Sequence, residues 1–485
     1  MLFLVKLFPE ITIKSRAVRK RFIRQLRKNL KSVLSPLADE VSVRGEWDSL
    51  EVEVDDSADK QAIVDRLACT PGISLFLEVE RFELPDMDGM LALALERYGD
   101  RLAGKTFAVR CKRMGRHAFR SVDVERFVGA GLNQHAETAK VKLVDPEVTV
   151  AMEIRDASFY MVTAQHKALG GFPLGCQDSV LSLISGGFDS AVSSYLCISR
   201  GLQTHYCFFN LGGRAHEIAV KELALFLWMK YHSSHRVKFV TVPFEDVVAE
   251  ILNKVDDAQM GVILKRMMLR AADRVAKKLE IQALVTGESV AQVSSQTLTN
   301  LAVIDKVSDT LVLRPLATSD KQEIIDAARL IGTEDFSKNI PEYCAVISNK
   351  PTTRARAERI EREEFHFDFA VLDEALANCR EQLITDLVAD INTESPEVRI
   401  ETSVPSGAIV IDIRHPSEAE RSPLRLSNDE ATVLDIPFYN LRTNFRELDS
   451  EQHYLLYCDQ GMMSRLHAAH LLDEGFANVS VLDLR

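Results

Sequence analysis

The chain has 485 residues, 46% of them hydrophobic and 27% charged, with a net charge of −12. This length predicts about three to four domains of an ordinary soluble globular class, and no apolar run reaches the roughly 18 residues that a membrane span needs. The eight cysteines contain no C-x-x-C pair, so neither a zinc ribbon nor a disulfide framework is suggested, and the reading is a reducing cytosol.

In chain order, the opening M-L-F-L-V-K-L-F-P-E is apolar but is interrupted by Lys6 and ended by Pro9-Glu10. It reads as a strand rather than a signal peptide. Between Lys14 and Lys31 lie nine basic residues and no acidic one: Lys14, Arg16, Arg19, Lys20, Arg21, Arg24, Arg27, Lys28 and Lys31. The first 35 residues therefore carry +9 and the remainder −21. Val18, Phe22, Leu26, Leu30, Val33 and Leu34 recur at helical spacing, so the segment predicts an amphipathic helix with a basic wet face. Such a face suits nucleic acid; a merely solvated face and an anionic membrane surface are the alternatives.

A strand at Leu50–Val54 and a helix at Lys60–Leu67 follow. A second unit opens near Asp86. Within it, Thr106–Phe127 predicts a strand that runs into a basic hairpin (Arg110, Lys112, Arg113, Arg116, Arg120), with Ser121 as helix N-cap. These cations suit phosphate contacts, and a plain charged hairpin edge is the alternative. From Val180 onward, apolar runs (Val180–Ile184, His205–Leu211, Val237–Val242, Ala283–Thr286) alternate with helical stretches, which predicts a doubly wound parallel sheet. A charged helical segment spans about Thr353–Glu364. Asp390–Ser406, with Pro396 and Pro405, reads as a linker. Ala408–Arg414 then opens a small second α/β unit.

The first apolar run leads into Ser185-Gly186-Gly187-Phe188-Asp189-Ser190 and then a helix. Two glycines let the backbone turn its N–H groups inward, and the helix N-terminus adds partial positive charge, so this is an anion cradle. It lacks the G-K-[ST] of a Walker loop and the G-x-G-x-x-G of dinucleotide folds. S-G-G-x-D-S after a strand resembles the PP-loop of ATP pyrophosphatases, enzymes that adenylate a carbonyl oxygen and release pyrophosphate. The alternative is an ordinary Gly-rich turn. By that resemblance Ser185, Gly186, Gly187, Asp189 and Ser190 bind ATP phosphates, and Asp189 holds Mg2+ or orients the phosphates. Lys265, beside Arg266 in G-V-I-L-K-R-M-M-L-R, could reach phosphate. Gly287 and Gln296, in T-G-E-S-V-A-Q-V-S-S-Q, and the backbone of Leu183 and Ile184 complete the implied ATP site.

With these segments, K-L-F-P-E-I-T-I-K-S (Lys6–Ser15), H-Y-C-F-F-N-L-G-G (His205–Gly213) and P-E-Y-C (Pro341–Cys344) resemble the tRNA 4-thiouridine synthetases, a family also tied to thiamine thiazole synthesis. The resemblance covers nearly the whole chain. It implies a multidomain α/β fold: an N-terminal ferredoxin-like domain (1–59), a THUMP RNA-binding domain (60–165), a doubly wound parallel-sheet PP-loop ATP pyrophosphatase domain (175–395), a linker (396–405) and a C-terminal rhodanese-like α/β domain (406–485).

The last domain centres on Y-C-D-Q-G-M-M-S-R (Tyr457–Arg465). Cys458, Gly461, Ser464 and Arg465 match a rhodanese loop, in which backbone N–H groups stabilise a thiolate and its persulfide, and I-D-I-R (Ile411–Arg414) resembles that family's usual strand. Single-domain rhodaneses commonly carry Arg five residues after the cysteine; here that residue is Met463, which argues for a protein-bound persulfide over thiosulfate as donor. The resemblance makes Cys344 the partner of Cys458 in a transient disulfide and gives no role to Cys176, Cys197, Cys207 or Cys379. It implies Mg-ATP-dependent activation of O4 of a tRNA uridine (position 8 in the family) and replacement of that oxygen by sulfur. The partners it implies are tRNA, a cysteine desulfurase, a sulfur-carrier protein of thiamine synthesis and a reductant, in the cytoplasm and off the membrane; a homodimer is left open. A sulfur relay to another acceptor and an RNA-binding protein with a vestigial ATP site are the rival readings.

Overall fold

The computed structural model describes residues 1–485 except 46–48, 136–137, 212, 341–349, 389–397, 415, 427–430, 460, 474 and 485. The chain divides into two compact units, Met1–Cys176 and Gln177–Arg485.

The first unit is built on one eight-stranded sheet. Its spatial order is Val41–Arg44, Ser49–Val54, Leu2–Leu7, Ile73–Glu83, Ser158–Gly170, Val148–Arg155, Thr106–Met114, Lys140–Val141. The opening decapeptide thus supplies a central strand: Val5 sits opposite Leu50 on one side and Phe76 on the other. Helix Arg16–Leu34 lays Phe22, Leu26, Leu30, Val33 and Leu34 into the core beside Phe3 and Val5. Helix Lys60–Ala68 adds Ile63, Val64 and Leu67 to that same core, which therefore continues past residue 59. A second core gathers Met90, Tyr98, Phe107, Val128 and Phe159.

Two local expectations are corrected here. The stretch Arg110–Arg120 does not belong to a hairpin: strand Thr106–Met114 pairs parallel to Val148–Arg155, because helix Ser121–His135 carries the chain across before it returns. Nor is Ser121 the cap. It is already helical, and the Asp123 carboxylate accepts the Arg120 N–H at 2.8 Å.

The second unit holds two sheets. The larger runs Leu311–Leu313, Ala283–Val285, Ser179–Leu183, Gln203–Asn210, Lys238–Pro243, Arg380–Leu383. Its pairings are parallel up to the last, where Arg380–Leu383 joins antiparallel, an edge strand absent from the sequence reading. The smaller sheet is parallel throughout, in the order Ile400–Glu401, Val479–Leu482, Tyr454–Tyr457, Ile409–Asp412, Val433–Asp435. Each sheet has a position where the chain winds first one way and then the other, and ligands of such sheets bind beyond the strand ends at that position. In the larger sheet it lies between Ser179–Leu183 and Ala283–Val285. In the smaller it lies between Ile409–Asp412 and Tyr454–Tyr457. The Phe336 and Phe438 rings meet at a tilt, 4.4 Å between centroids, and His467 lies 4.0 Å from Glu222, so the two layers touch within this unit.

Candidate functional site

Strand Ser179–Leu183 ends directly before the glycine loop. Gly186 takes φ +93°, which an L side chain rarely adopts, and Gly187 is the N-cap of helix Phe188–Ser199. Ser190 ties the loop from inside: its Oγ accepts the Ser185 N–H at 3.2 Å and donates to the Gly187 carbonyl at 2.9 Å. His216 Nε2 lies 3.2 Å from the Ser185 carbonyl; burial lowers its pKa, so the ring is held neutral and donates Nε2–H.

Across the winding point, strand Ala283–Val285 brings Gly287 against the same loop. A Cβ at Gly287 would lie 2.5 Å from the Asp189 carbonyl carbon and 2.8 Å from the Ser190 nitrogen, so only glycine permits this approach. The result is a cavity of about 480 Å3. Leu183, Ile184, Ser185, Gly187, Asp189, Ser190, Lys265, Gly287 and Gln296 all line it; Gly186 belongs to the same loop but faces Ile340 and Val220. One wall is apolar, with Phe209, Leu211, Leu264 and Met268, and the other carries the cradle and its polar groups. That division suits a flat base joined to phosphates.

The sequence reading missed several polar residues of the wall. Gln292 donates Nε2–H to Asp189 Oδ2 at 3.0 Å. Because a carboxylate only accepts, this fixes the amide orientation and leaves Gln292 Oε1 buried; Gln296 Oε1 is buried likewise, and among the described residues neither has a hydrogen-bond partner. Two buried acceptors thus stand unpaired on residues that line the cavity, and a ligand with donors, such as an exocyclic amine, could pair them. Glu288 forms the floor, accepting from Thr286 Oγ1 and Arg314 Nε at 2.9 Å each, with Lys265 Nζ at 3.9 Å. Arg314 also grips Asp305 at 2.9 and 2.5 Å. Burial works against its charge, yet the two carboxylates win and its pKa is raised. Glu288 lies in the quoted T-G-E-S stretch, but nothing in that stretch names Arg314 as its partner. Arg266, adjacent to Lys265, points elsewhere: it is buried and forms a bidentate pair with Glu364 at 2.6 and 2.8 Å.

In the smaller sheet, Cys458 follows strand Tyr454–Tyr457. Its Sγ accepts the Ser464 N–H at 3.3 Å and lies 3.5 Å from Ser464 Oγ. Gly461 turns the loop with φ +63°, and helix Met462–Asp473 follows, so its N-terminal dipole faces the sulfur. Arg465 reaches away to Asp483 at 3.0 Å. Arg414, at the end of the neighbouring strand, holds Asp412 at 2.6 Å and Asp459 at 2.8 Å. Cys344 lies outside the described residues, and so does any pairing with Cys458. Burial pushes Cys111, Cys176 and Cys197 up to about 12 and Cys207 higher still, which keeps them as inert thiols.

In the first unit, Arg16, Lys20, Arg24 and Lys31 are exposed along the first long helix, with Arg19 and Arg27 half-buried, and Lys14 is exposed in the turn before it. Arg110, Lys112, Arg116 and Arg120 are exposed and Arg113 is half-buried. The second set is more tied down. Arg110 donates to the Leu143 carbonyl, Arg113 donates to that of Gly115, and Arg120 pairs with Asp123 at 3.2 Å, which offsets its charge.

Comparison with known proteins finds four family matches: the ThiI ferredoxin-like domain over residues 2–76, the THUMP domain over 86–164, Thiamine biosynthesis protein (ThiI) over 175–369 and the rhodanese-like domain over 387–484. The chain is 56% identical over 483 residues, 99% of each chain, to the tRNA sulfurtransferase of Pseudomonas aeruginosa (strain LESB58). The identity and the coverage are the same, 56% and 99% of each chain, for the tRNA sulfurtransferase of Azotobacter vinelandii. Among solved structures it is similar to a 4-thiouridine synthetase in complex with RNA and bound ATP, with a TM-score of 0.70 and 24% identity over 79% of this chain and 99% of that one. The first sheet therefore joins a ferredoxin-like and a THUMP domain, the second sheet is the PP-loop domain, and the third is rhodanese-like.

Proposed function

The chain belongs to the tRNA sulfurtransferases, a family of enzymes, and from that premise we propose that it uses ATP to replace O4 of a tRNA uridine with sulfur carried on Cys458. One observation carries this reading: a single chain holds a phosphate cradle and a sulfur cradle, each at the winding point of its own parallel sheet.

The 480 Å3 cavity receives ATP, its base against Phe209, Leu264 and Met268 and its phosphates on the Ser185–Ser190 loop, with Lys265 beside them. The uridine O4 attacks the α-phosphorus and pyrophosphate leaves. The terminal sulfur of the Cys458 persulfide then attacks C4, and AMP leaves with the former O4. Cys344 attacks Cys458 Sγ as the transferred sulfur departs, and a reductant reopens the disulfide. Asp189 is the one carboxylate of the loop that could hold Mg2+. Among the described residues no cluster of three or more His, Cys, Asp or Glu side chains is arranged around a metal. That fits an ion held chiefly by phosphates, where it would offset the charge of the leaving pyrophosphate. The exposed cations of helix Arg16–Leu34 and of strand Thr106–Met114 bind the tRNA backbone. A cysteine desulfurase loads Cys458. Among the described residues no helix is long and apolar enough to cross a membrane, in keeping with work in the cytoplasm.

The test is Cys458→Ala with desulfurase, cysteine, ATP and tRNA. The expected result is loss of 4-thiouridine that free sulfide restores; full yield without sulfide would remove the persulfide from the scheme. A second role, sulfur delivery to a carrier protein for thiazole synthesis, is favoured by Cys458 and the Ser464 N–H that meets it both belonging to the smaller sheet and the helix after it. Asp189→Ala should then abolish thiolation and leave that delivery intact.

A further inference from the structure

We propose that Asp459 sets the donor class of the Cys458 loop by excluding small sulfur oxyanions, thiosulfate above all. The proposal rests on the reading of Cys458 as the sulfur carrier.

The loop is built for one negative charge. Sγ receives the Ser464 N–H at 3.3 Å with Ser464 Oγ at 3.5 Å, and faces a helix N-terminus. A dianion entering beside that thiolate needs a cation that is not already matched. The two described arginines of the loop each pair with a carboxylate, although Arg465 Nε is left buried without a partner among the described residues. Arg414, whose side chain is 3% exposed, places Nε at 2.9 Å and NH2 at 2.6 Å on Asp412, and NH1 at 2.8 Å on Asp459. Its guanidinium stacks 5.1 Å over the Tyr457 ring, which leaves no open face on that side. Arg465 is bound to Asp483 at 3.0 Å. The loop thus has two guanidinium groups against three carboxylates, and residues 460, 462 and 463 are Gln, Met and Met.

Asp459 is the carboxylate in surplus. It directly follows the cysteine, its side chain is 57% exposed, and the Tyr457 hydroxyl donates to it at 3.1 Å. Burial, then the Asp459 charge, raises the pKa of that hydroxyl, so it stays a donor and holds the carboxylate in place at the mouth. A protein-borne persulfide brings a single charge, and its own protein can meet Asp459 with a basic group. Thiosulfate brings two charges and no counterion. In the excluded reaction, the Cys458 thiolate attacks the outer sulfur of thiosulfate, the sulfur–sulfur bond breaks, and sulfite leaves with the electron pair. Cyanide then takes the outer sulfur as thiocyanate and returns the thiolate.

The experiment measures thiosulfate-to-cyanide sulfur transfer by the full-length protein across a range of ionic strength. The wild type should be slow and should speed up with salt, because screening weakens like-charge repulsion. Asp459→Asn should raise kcat/KM for thiosulfate about tenfold and flatten the salt dependence, Asp459→Lys should raise it at least as much, and Asp459→Glu should stay at the wild-type rate. A wild-type rate that is flat in salt, or Asn and Lys variants no faster than wild type, would overturn the proposal. Loading of wild-type Cys458 by a desulfurase with cysteine, read by intact mass, separates the two ideas. If Cys458 loads and the Lys variant gains nothing, only the role of Asp459 fails. If no sulfur reaches Cys458 from either donor, the carrier reading fails and takes the proposal with it.

Discussion

The PP-loop and the Cys458 loop are one device built at two sizes. Each follows a parallel strand at a winding point, turns on a glycine of positive φ (Gly186 at +93°, Gly461 at +63°) and leads into a helix. They differ in what fills the turn. In the first, the Ser190 hydroxyl closes the loop on itself and the anion must come from outside, so the loop opens on a cavity of about 480 Å3. In the second, a side chain of the loop occupies the cradle, since Cys458 Sγ sits on the Ser464 N–H. A backbone cradle can therefore serve a diffusing triphosphate or a covalently held sulfur, and the residue placed inside it decides which.

The largest expected break in this comparison comes from Gly287→Ala. Its Cβ would meet the backbone of Asp189 and Ser190 at 2.5–2.8 Å, where no flexible side chain can give way. ATP-dependent 4-thiouridine formation should fall by about 100-fold, while sulfur loading of Cys458 continues; equal loss of both would mean that the two cradles are not separable.

Acid should distinguish the two regions next. Burial lowers His205 to about 4 and lowers His232 well below 6.5; both belong to the PP-loop domain. His205 Nδ1 accepts the Lys238 N–H at 3.0 Å, and among the described residues neither ring nitrogen of His232 has a hydrogen-bond partner. Both rings are neutral when folded. Below about pH 6.5 the unfolded chain takes up protons that the folded chain refuses, so stability is lost as pH falls, until the folded-state pKa is reached. The cost is about 1.4 kcal/mol per pH unit for each histidine. Denaturant unfolding of the PP-loop domain between pH 7 and 5 checks this; because burial lowers His216 as well, His232→Phe should reduce the slope by about a third rather than abolish it.

The smallest effect should come from Ser464→Ala. The backbone N–H remains on the sulfur and only the hydroxyl at 3.5 Å is lost. Persulfide transfer should slow about fivefold, for a loss of about 1 kcal/mol. A drop as large as that of Cys458→Ala would make the hydroxyl the main support of the cradle.

Much of this was legible in residue order. The spacing of Phe22, Leu26 and Leu30 fixes a helix and its basic outer face, because burial of one apolar stripe leaves the other positions in water. The S-G-G-x-D-S and Y-C-D-Q-G segments announce their chemistry because turn, glycine and helix start are contiguous. The parallel pairing of Thr106–Met114 was not legible, since a strand does not announce its partner, and neither was the antiparallel edge strand Arg380–Leu383.

By itself, then, the sequence determined the order of elements, the two cradles and the concentration of positive charge near the N-terminus, all of which rest on neighbours within a few residues. Only the tertiary structure decided what meets across long separations. Gly287 closes on Ser190, Arg314 bridges Glu288 and Asp305, and Arg414 spans Asp412 and Asp459. The reason is physical: steric fit and the neutralisation of buried charge depend on distance in space, and strand order, not residue order, sets that distance.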